Sequence, residues 1–305
     1  MSKLRISIVE YLNTAPLVWG FTDGPLAGKY DLSFTVPSQC AEALRRGDAD
    51  VAIIPSIEYQ RIKGIVALPG IAVAAKGEVR SILVVAKKPI EMAKRIALDT
   101  SSRSSATLVR LLAAEHWRIQ PEYTEAGPDP SKMLQEADAA LVIGDPALRV
   151  SLKMEALAAR EASGGECCQG DPEDMPVPGF ETVFVYDVAH QWREMTGHSC
   201  VLAIWAGRRD AITPEVAADF QASKKYGLER IREISEGASI KLDLPPRALE
   251  RYLSGNIQFD LGDENLASLR LYFEKAAAAR LIPELRPLEF ATAQTSTNAR
   301  AKATQ

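Results

Sequence analysis

The sequence predicts an α/β protein of two lobes, each a sheet flanked by helices with a polar edge for a ligand. Three observations point there. Residues 3–59 alternate strand, helix, strand, helix, strand, the pattern of a parallel sheet joined by right-handed crossovers. Residues 95–143 repeat that order. The loops that follow the strands of both units hold Asn, Ser, Thr and Gly, which sets hydrogen-bonding groups at the carboxyl ends of the strands, where open α/β sheets take their ligands.

Taken in order, residues 3–9 alternate and then run apolar as a first strand, and Pro16 suits the first turn of the helix that follows. Residues 30–36 (YDLSFTV) form a second strand. Pro37 and Ser38 open a helix through Cys40, Ala41 and Leu44, which Gly47 closes. Residues 50–54 (DVAII) make a third strand, ended by Pro55 and Ser56, with Glu58 in the first turn of another helix. Strands over 67–75 and 80–86 surround a turn at Gly77, and Lys87-Lys88-Pro89 interrupts the pattern, which puts the crossing into the second lobe there.

The second lobe begins with a strand into ALDTSSRSS (residues 97–105). A helix over 106–116, a strand over 121–124, a helix over 132–137 and a strand over 139–143 follow, the last ended by Gly144, Asp145 and Pro146. Residues 163–179 (SGGECCQGDPEDMPVPG) read as an exposed, mobile loop outside the site. A strand over 182–186, a helix over 188–195 and a strand over 199–205 bring the chain back, with the return crossing in residues 200–206. Thr213, Pro214 and Glu215 follow the order cap, first-turn proline, first-turn acid. Helices over 228–236, 246–254 and 263–279 come next, and in the last of them Leu266, Leu269, Phe273 and Ala276 form a stripe expected to pack on the first lobe. Beyond residue 290 the chain lacks periodicity and reads as a disordered tail.

Composition narrows the function. With 47% hydrophobic and 25% charged residues, the 305-residue chain can bury a substantial core. A net charge of -4, with Lys and Arg scattered among the acids, offers no basic stripe for nucleic acid and no polybasic patch for a membrane, so the expected partner is a small molecule. No apolar stretch reaches transmembrane length, and the N-terminus shows no secretory pattern. Cys40, Cys167, Cys168 and Cys200 make no CxxC pair, and three histidines do not complete a metal site, so reduced thiols in the cytoplasm are expected.

The junction ALDTSSRSS is the densest polar feature. Thr100, Ser101, Ser102, Ser104 and Ser105 crowd hydroxyls where a strand gives way to a helix, and the helix's first N–H groups lack partners there. An anion suits such a place: N–H groups and dipole together supply about 0.3–1 kcal/mol, and Arg103 adds a bidentate partner for a carboxylate. The ordinary alternative is helix capping, for which one hydroxyl suffices. By the same edge geometry Asn13, Ser38, Ser56, Gly144 and Asp145 fall on the binding side.

The motifs VEYLNTAPLVWG (residues 9–20), PSQCAEALRRGDADVAIIPSIEY (37–59), ALDTSSRSS, EADAALVIGDPALR (136–149), WREMTGHSCVLAIWAGRRD (192–210) and RYLSGNIQFDLG (251–262) together resemble the chorismate dehydratase family of the futalosine route to menaquinone. The resemblance spans nearly the whole chain. It implies a fold like that of type II periplasmic binding proteins, with one lobe from 1–86 and 203–305 and the other from 87–202, in line with the crossings above. It also implies a hydro-lyase that removes water from chorismate to give 3-[(1-carboxyvinyl)oxy]benzoate without a cofactor. Two other readings share the fold: a solute-binding protein for a small carboxylate, which calls for a leader or lipid anchor, and the 1,4-dihydroxy-6-naphthoate synthase of the same pathway, whose motifs match less well.

The implied reaction needs a base for the C3 proton and help for the departing C4 hydroxyl. His116, His190 and His198 lie away from the junctions, which leaves Glu10, Glu58 and Asp145 as side-chain candidates. Each has an ordinary alternative: an ion pair for Glu10, a favoured first-turn acid for Glu58, a helix cap for Asp145. Substrate-assisted catalysis, with the enolpyruvyl carboxylate as base, fits the shortage better. Asn13 would then orient the substrate and Ser81 would hold a carboxylate or the leaving hydroxyl, while Ser38, Ser56, Thr100, Ser101, Ser102, Arg103, Gly144 and Asp145 bind it. Cys40, with no histidine beside it, reads as a small helix residue and not a nucleophile.

Overall fold

A computed structural model describes residues 3–163, 175–180 and 182–291. Most of the loop expected over 163–179, with Cys167 and Cys168, lies outside the described residues, as does the tail beyond residue 291. In chain order the elements are β1 (Arg5–Val9), α1 (Ala15–Thr22), β2 (Asp31–Thr35), α2 (Pro37–Arg46), β3 (Val51–Pro55), α3 (Glu58–Arg61), β4 (Ile65–Ala75), β5 (Ile82–Ala86), β6 (Arg95–Asp99), α4 (Arg103–Glu115), β7 (Glu122–Ala126), α5 (Pro130–Glu136) and β8 (Ala139–Ile143). There follow α6 (Gly144–Ala162), β9 (Phe184–Asp187), α7 (Val188–Thr196), β10 (Cys200–Arg208), α8 (Pro214–Leu228), α9 (Ile231–Leu242), α10 (Pro246–Arg251) and α11 (Asp263–Ala278).

The strands form two five-stranded sheets with one plan. The first runs β2-β1-β3-β10-β4 and the second β7-β6-β8-β5-β9. In each, the first three strands are parallel, with Ile6 opposite Leu32 and Ile96 opposite Tyr123. The parallel units expected over 3–59 and 95–143 are present, and the strands outside them add antiparallel pairs: β10 runs antiparallel to β3 and β4, and β5 antiparallel to β8 and β9. The reason is mechanical. Each of these strands arrives from the other lobe and enters at the carboxyl edge, where its neighbours leave, so it must run against them.

That pairing also moves the crossings. β5, whose five residues are all buried, sits between β8 and β9 in the second sheet, so the chain changes lobes over residues 76–81 and not after Ala86. On the return, β10 already belongs to the first sheet at Cys200, opposite Ala75. The expected boundaries at 86/87 and 202/203 shift accordingly, because strand pairing and not the Lys-Lys-Pro break decides where a lobe ends.

Local signals operate as the sequence suggests. Gly47, at φ 78°, closes α2 after Cys40, Ala41 and Leu44 are buried, and Thr213 caps α8 by accepting the Val216 N–H at 3.2 Å. In α11, Leu269, Phe273 and Ala276 are buried as expected. That helix packs on α4 of the second lobe as well as on β10, with the Tyr272 hydroxyl donating to the Ser104 carbonyl at 2.9 Å, so its stripe joins the lobes and does not serve the first alone. One continuous apolar core, from Ile53 and Trp205 in the first lobe to Leu108 and Leu141 in the second, runs across the interface. No described helix is long and apolar enough to cross a membrane.

Candidate active site

Where the two sheets point their carboxyl ends at one another, the lobes enclose a narrow cavity of about 50 Å³. Val9, Pro55 and Ile143, the last residues of β1, β3 and β8, form part of its wall. Asn13 enters from the first lobe, Ser81 from the crossing, and Ser102, Ser105 and Gly144 from the second lobe. Ser81 and Ser102 are only 1% and 5% exposed, so the cleft is shut in this conformation.

Asn13 sits in a single 3-10 turn, Leu12–Thr14, between β1 and α1. Two contacts fix that turn: the Leu12 N–H donates across the interface to Asp145 Oδ1 at 3.1 Å, and the Thr14 hydroxyl donates to Asn13 Oδ1 at 3.3 Å. Beside it, the Tyr11 ring lies flat against Gly144. At φ 68°, with an added Cβ falling 2.6 Å from Tyr11 Cζ, this position has room only for glycine. Ser81 receives a hydrogen bond from the Tyr252 hydroxyl at 2.8 Å, and its backbone carbonyl accepts the Gly144 N–H at 2.8 Å.

The hydroxyl-rich junction is used differently from what its composition suggests. Ser102 caps α4 by accepting the Ser105 N–H at 3.3 Å, and its own hydroxyl donates to Ser105 Oγ at 2.7 Å. Ser101 donates its hydroxyl to Asp99 Oδ1 at 2.6 Å and, by its carbonyl, takes the Ser38 N–H from the other lobe at 3.0 Å. Ser104 Oγ accepts the Ile57 N–H at 3.2 Å and meets Ser56 Oγ at 3.2 Å. Most of these hydroxyls cap the helix or hold the lobes together.

Several expectations are thereby corrected. Ser56 is fully buried against Ser104 and the Val201 carbonyl and does not reach the cavity. Arg103 is committed to Glu58 at 2.9 Å and Glu42 at 2.6 Å, both in the first lobe, which makes it an inter-lobe clasp with its guanidinium already paired. Thr100 is exposed and, with Ser38, Ser101 and Arg103, lines a separate cleft on the outside of the interface. Asp145 faces a third, mostly apolar pocket between the Leu12 turn and α9. Of the ten expected site residues, the cavity gathers Asn13, Ser81, Ser102 and Gly144.

The acids are also accounted for. Glu58 is wholly buried among Arg45, Arg61 and Arg103, and Glu10 pairs with Lys241 at 2.8 Å on the surface. Burial pushes the Asp145 carboxyl up to about 6 against the opposing pull of the Leu12 N–H and of Lys241 and Arg149. Burial likewise raises Asp99, whose Oδ2 has no partner among the described residues. The Cys40 thiol, pushed up to about 11 by burial, is inert as a nucleophile. His116 and His190 both face Glu194, remote from the cleft. Among the described residues lining the cavity, Tyr11 is the one titratable side chain, and burial keeps it protonated.

Sequence reasoning named Ser105 among the junction hydroxyls and missed Tyr11 and Tyr252. Tyr11 stands two residues before Asn13 in the same loop, so its placement was within reach of the edge argument. Tyr252 gave no local signal, because it comes from a far segment and reaches Ser81 through a five-residue π-helical turn, Tyr252–Asn256.

Comparison with known proteins agrees with this arrangement. A chorismate dehydratase from Thermus thermophilus is 28% identical over 276 residues, which cover 90% of this chain and 95% of that protein. A crystal structure of an Archaeoglobus fulgidus protein superposes with a TM-score of 0.68 at 19% identity, covering 92% of this chain and 98% of its own. The periplasmic aliphatic sulphonate binding protein SsuA from Escherichia coli gives a TM-score of 0.57 at 17% identity, with 93% and 95% covered. The fold is thus that of the periplasmic binding proteins, with the ligand cleft between lobes. A profile of the menaquinone biosynthesis family matches residues 4–278, and the chain belongs to that family.

Proposed function

We propose that this protein is a chorismate dehydratase, eliminating water from chorismate to give 3-[(1-carboxyvinyl)oxy]benzoate. The family match and the Thermus relative support the reaction class, and the lining of the cavity supports the mechanism. The observation that carries the mechanism is chemical: among the described residues around the cavity there is no Asp, Glu, His, Lys or Cys to take a proton. The base must then come with the substrate. Chorismate brings two carboxylates, and the one on its enolpyruvyl arm reaches the C3–H through a six-membered arrangement.

In that reading the enolpyruvyl carboxylate removes the C3 proton. The C–H electron pair becomes the new C3=C4 bond and completes the aromatic ring, and the C4–O bond breaks. The proton taken from C3 leaves with the C4 oxygen as water. Asn13 holds the enolpyruvyl carboxylate against C3–H, since an amide donates hydrogen bonds but does not titrate near neutral pH. Ser81 donates to the departing oxygen, and Ser102 with the start of α4 faces the ring carboxylate. The lobes must part for chorismate to enter, and the hydroxyls of Ser56 and Ser104, the Ser101 carbonyl and the Arg103 clasp close them again.

The test is direct. Purified protein incubated with chorismate alone is expected to release an aromatic product with the mass of chorismate less one water. Absence of that product in the presence of stably folded protein would sink the assignment, and its loss on addition of a chelator would expose a metal requirement outside this mechanism.

A further inference from the structure

Tyr252 reaches the cleft at Ser81 while lying behind its wall. It is buried, at 1% exposure, and sits at the start of the π-helical turn Tyr252–Asn256. Such turns insert one extra residue per helical turn and occur frequently at functional sites. Here the turn grips the lobe crossing at two places: Tyr252 donates to Ser81 Oγ at 2.8 Å, and the Asn256 amide donates to the Glu78 carbonyl at 2.9 Å.

The direction of these bonds matters. Thr14 donates to Asn13 Oδ1, which leaves the NH₂ of Asn13, a residue lining the cavity, for an incoming group. The phenol spends its single proton on Ser81 Oγ. Ser81 is then left with its own proton, for which the described residues offer only the Val79 carbonyl at 3.5 Å, the outer limit of a hydrogen bond. A hydroxyl that accepts a strong bond and lacks a good acceptor becomes a better donor to whatever enters the cavity. Burial holds the Tyr252 phenol far above its ordinary pKa, so the donor persists across the working pH range.

Resting on the dehydratase reading, we infer that Tyr252 is a positioning residue which aims the Ser81 proton at the departing C4 oxygen. It acts through Ser81 and makes no contact with substrate. The bond from Tyr252 to Ser81 joins the lobe crossing to the π-turn, so it forms only when the crossing is seated against that turn.

The experiment is a double-mutant cycle on steady-state turnover of chorismate with Tyr252→Phe, Ser81→Ala and the double variant, each with its melting temperature recorded. Phenylalanine fills the same volume and deletes only the hydroxyl. Tyr252→Phe is expected to lower kcat about 10- to 100-fold with KM changed less than about 3-fold, the split expected when only the reacting geometry is disturbed. The double variant is expected to be no slower than Ser81→Ala, because a residue that works through Ser81 has nothing left to act on. Wild-type kcat in Tyr252→Phe, or multiplied losses in the double variant, would overturn the inference. Absence of turnover in the wild-type control would instead strike the dehydratase reading. Should Tyr252→Phe not fold, Asn256→Ala releases the turn from Glu78 with the phenol retained; it is expected to lower kcat with KM little changed, and an unchanged kcat would overturn the inference.

Discussion

The two lobes share one strand order, yet they use their strand-to-helix junctions in opposite ways. In the second lobe, Ser101, Ser102, Ser104 and Ser105 are tied to a carboxylate, a helix cap or the other lobe. In the first, a single 3-10 turn carries one amide, Asn13, which lines the cavity. On the proposed mechanism, a crowd of hydroxyls marks the surface that closes, while a lone amide on a short turn marks the surface that reacts. The difference follows from what each group can do. Hydroxyls are small and satisfy one another at a dry interface, whereas an amide keeps a second donor after its first bond is made.

The largest expected effect tests the reactive side. Asn13→Ala is expected to lower kcat by about 10²–10³, the scale of losing one preorganised donor, with the fold intact by circular dichroism. A loss confined to KM would place Asn13 with the binding hydroxyls and erase the contrast. Next comes the clasp, where Glu58→Gln leaves three arginines facing a neutral amide. With those arginines about a third exposed, the cost is about 2 kcal/mol of stability, read by urea denaturation, and kcat is expected to stay within about 3-fold.

Smaller effects sharpen the closing side. Ser56→Ala removes a buried hydroxyl from the inter-lobe contact and is expected to cost about 1 kcal/mol, seen as a KM raised up to about 5-fold with kcat unchanged. Equal loss of kcat would move Ser56 back to the reaction. The smallest effect concerns pH. Asp145 has a folded pKa of about 6 against an ordinary 3.8, so its stabilising contribution is full below 3.8 and is lost as pH rises through about 6. Asp145→Asn is expected to shrink the fall in melting temperature over that window without removing it, because Asp187, also raised to about 6 by burial, keeps its own share. An unaltered slope would show that Asp145 does not titrate there.

Much of this was legible in the sequence. The alternation over residues 3–59 and 95–143 fixes both sheets' parallel strands, and the edge rule brings Asn13 and Gly144 to the cleft. What stayed hidden depended on pairing between distant segments. Ile82–Ala86 reads as a buried strand but does not announce which sheet it joins, and the charged break after it looked like a boundary. Arg103 has the chemistry of a carboxylate ligand, and only the fold shows Glu42 and Glu58 already in its reach. Tyr252, 171 residues from Ser81, was beyond any spacing argument.

The central claim is that the cleft brings no base of its own and relies on the substrate's enolpyruvyl carboxylate. It is tested most directly with a chorismate analogue in which that carboxylate is a neutral carboxamide, its binding measured by calorimetry and its dehydration followed by product formation. The analogue is expected to bind and not to be dehydrated by the wild-type protein. Turnover at a rate near that of chorismate would contradict the claim and require a protein side chain as the base.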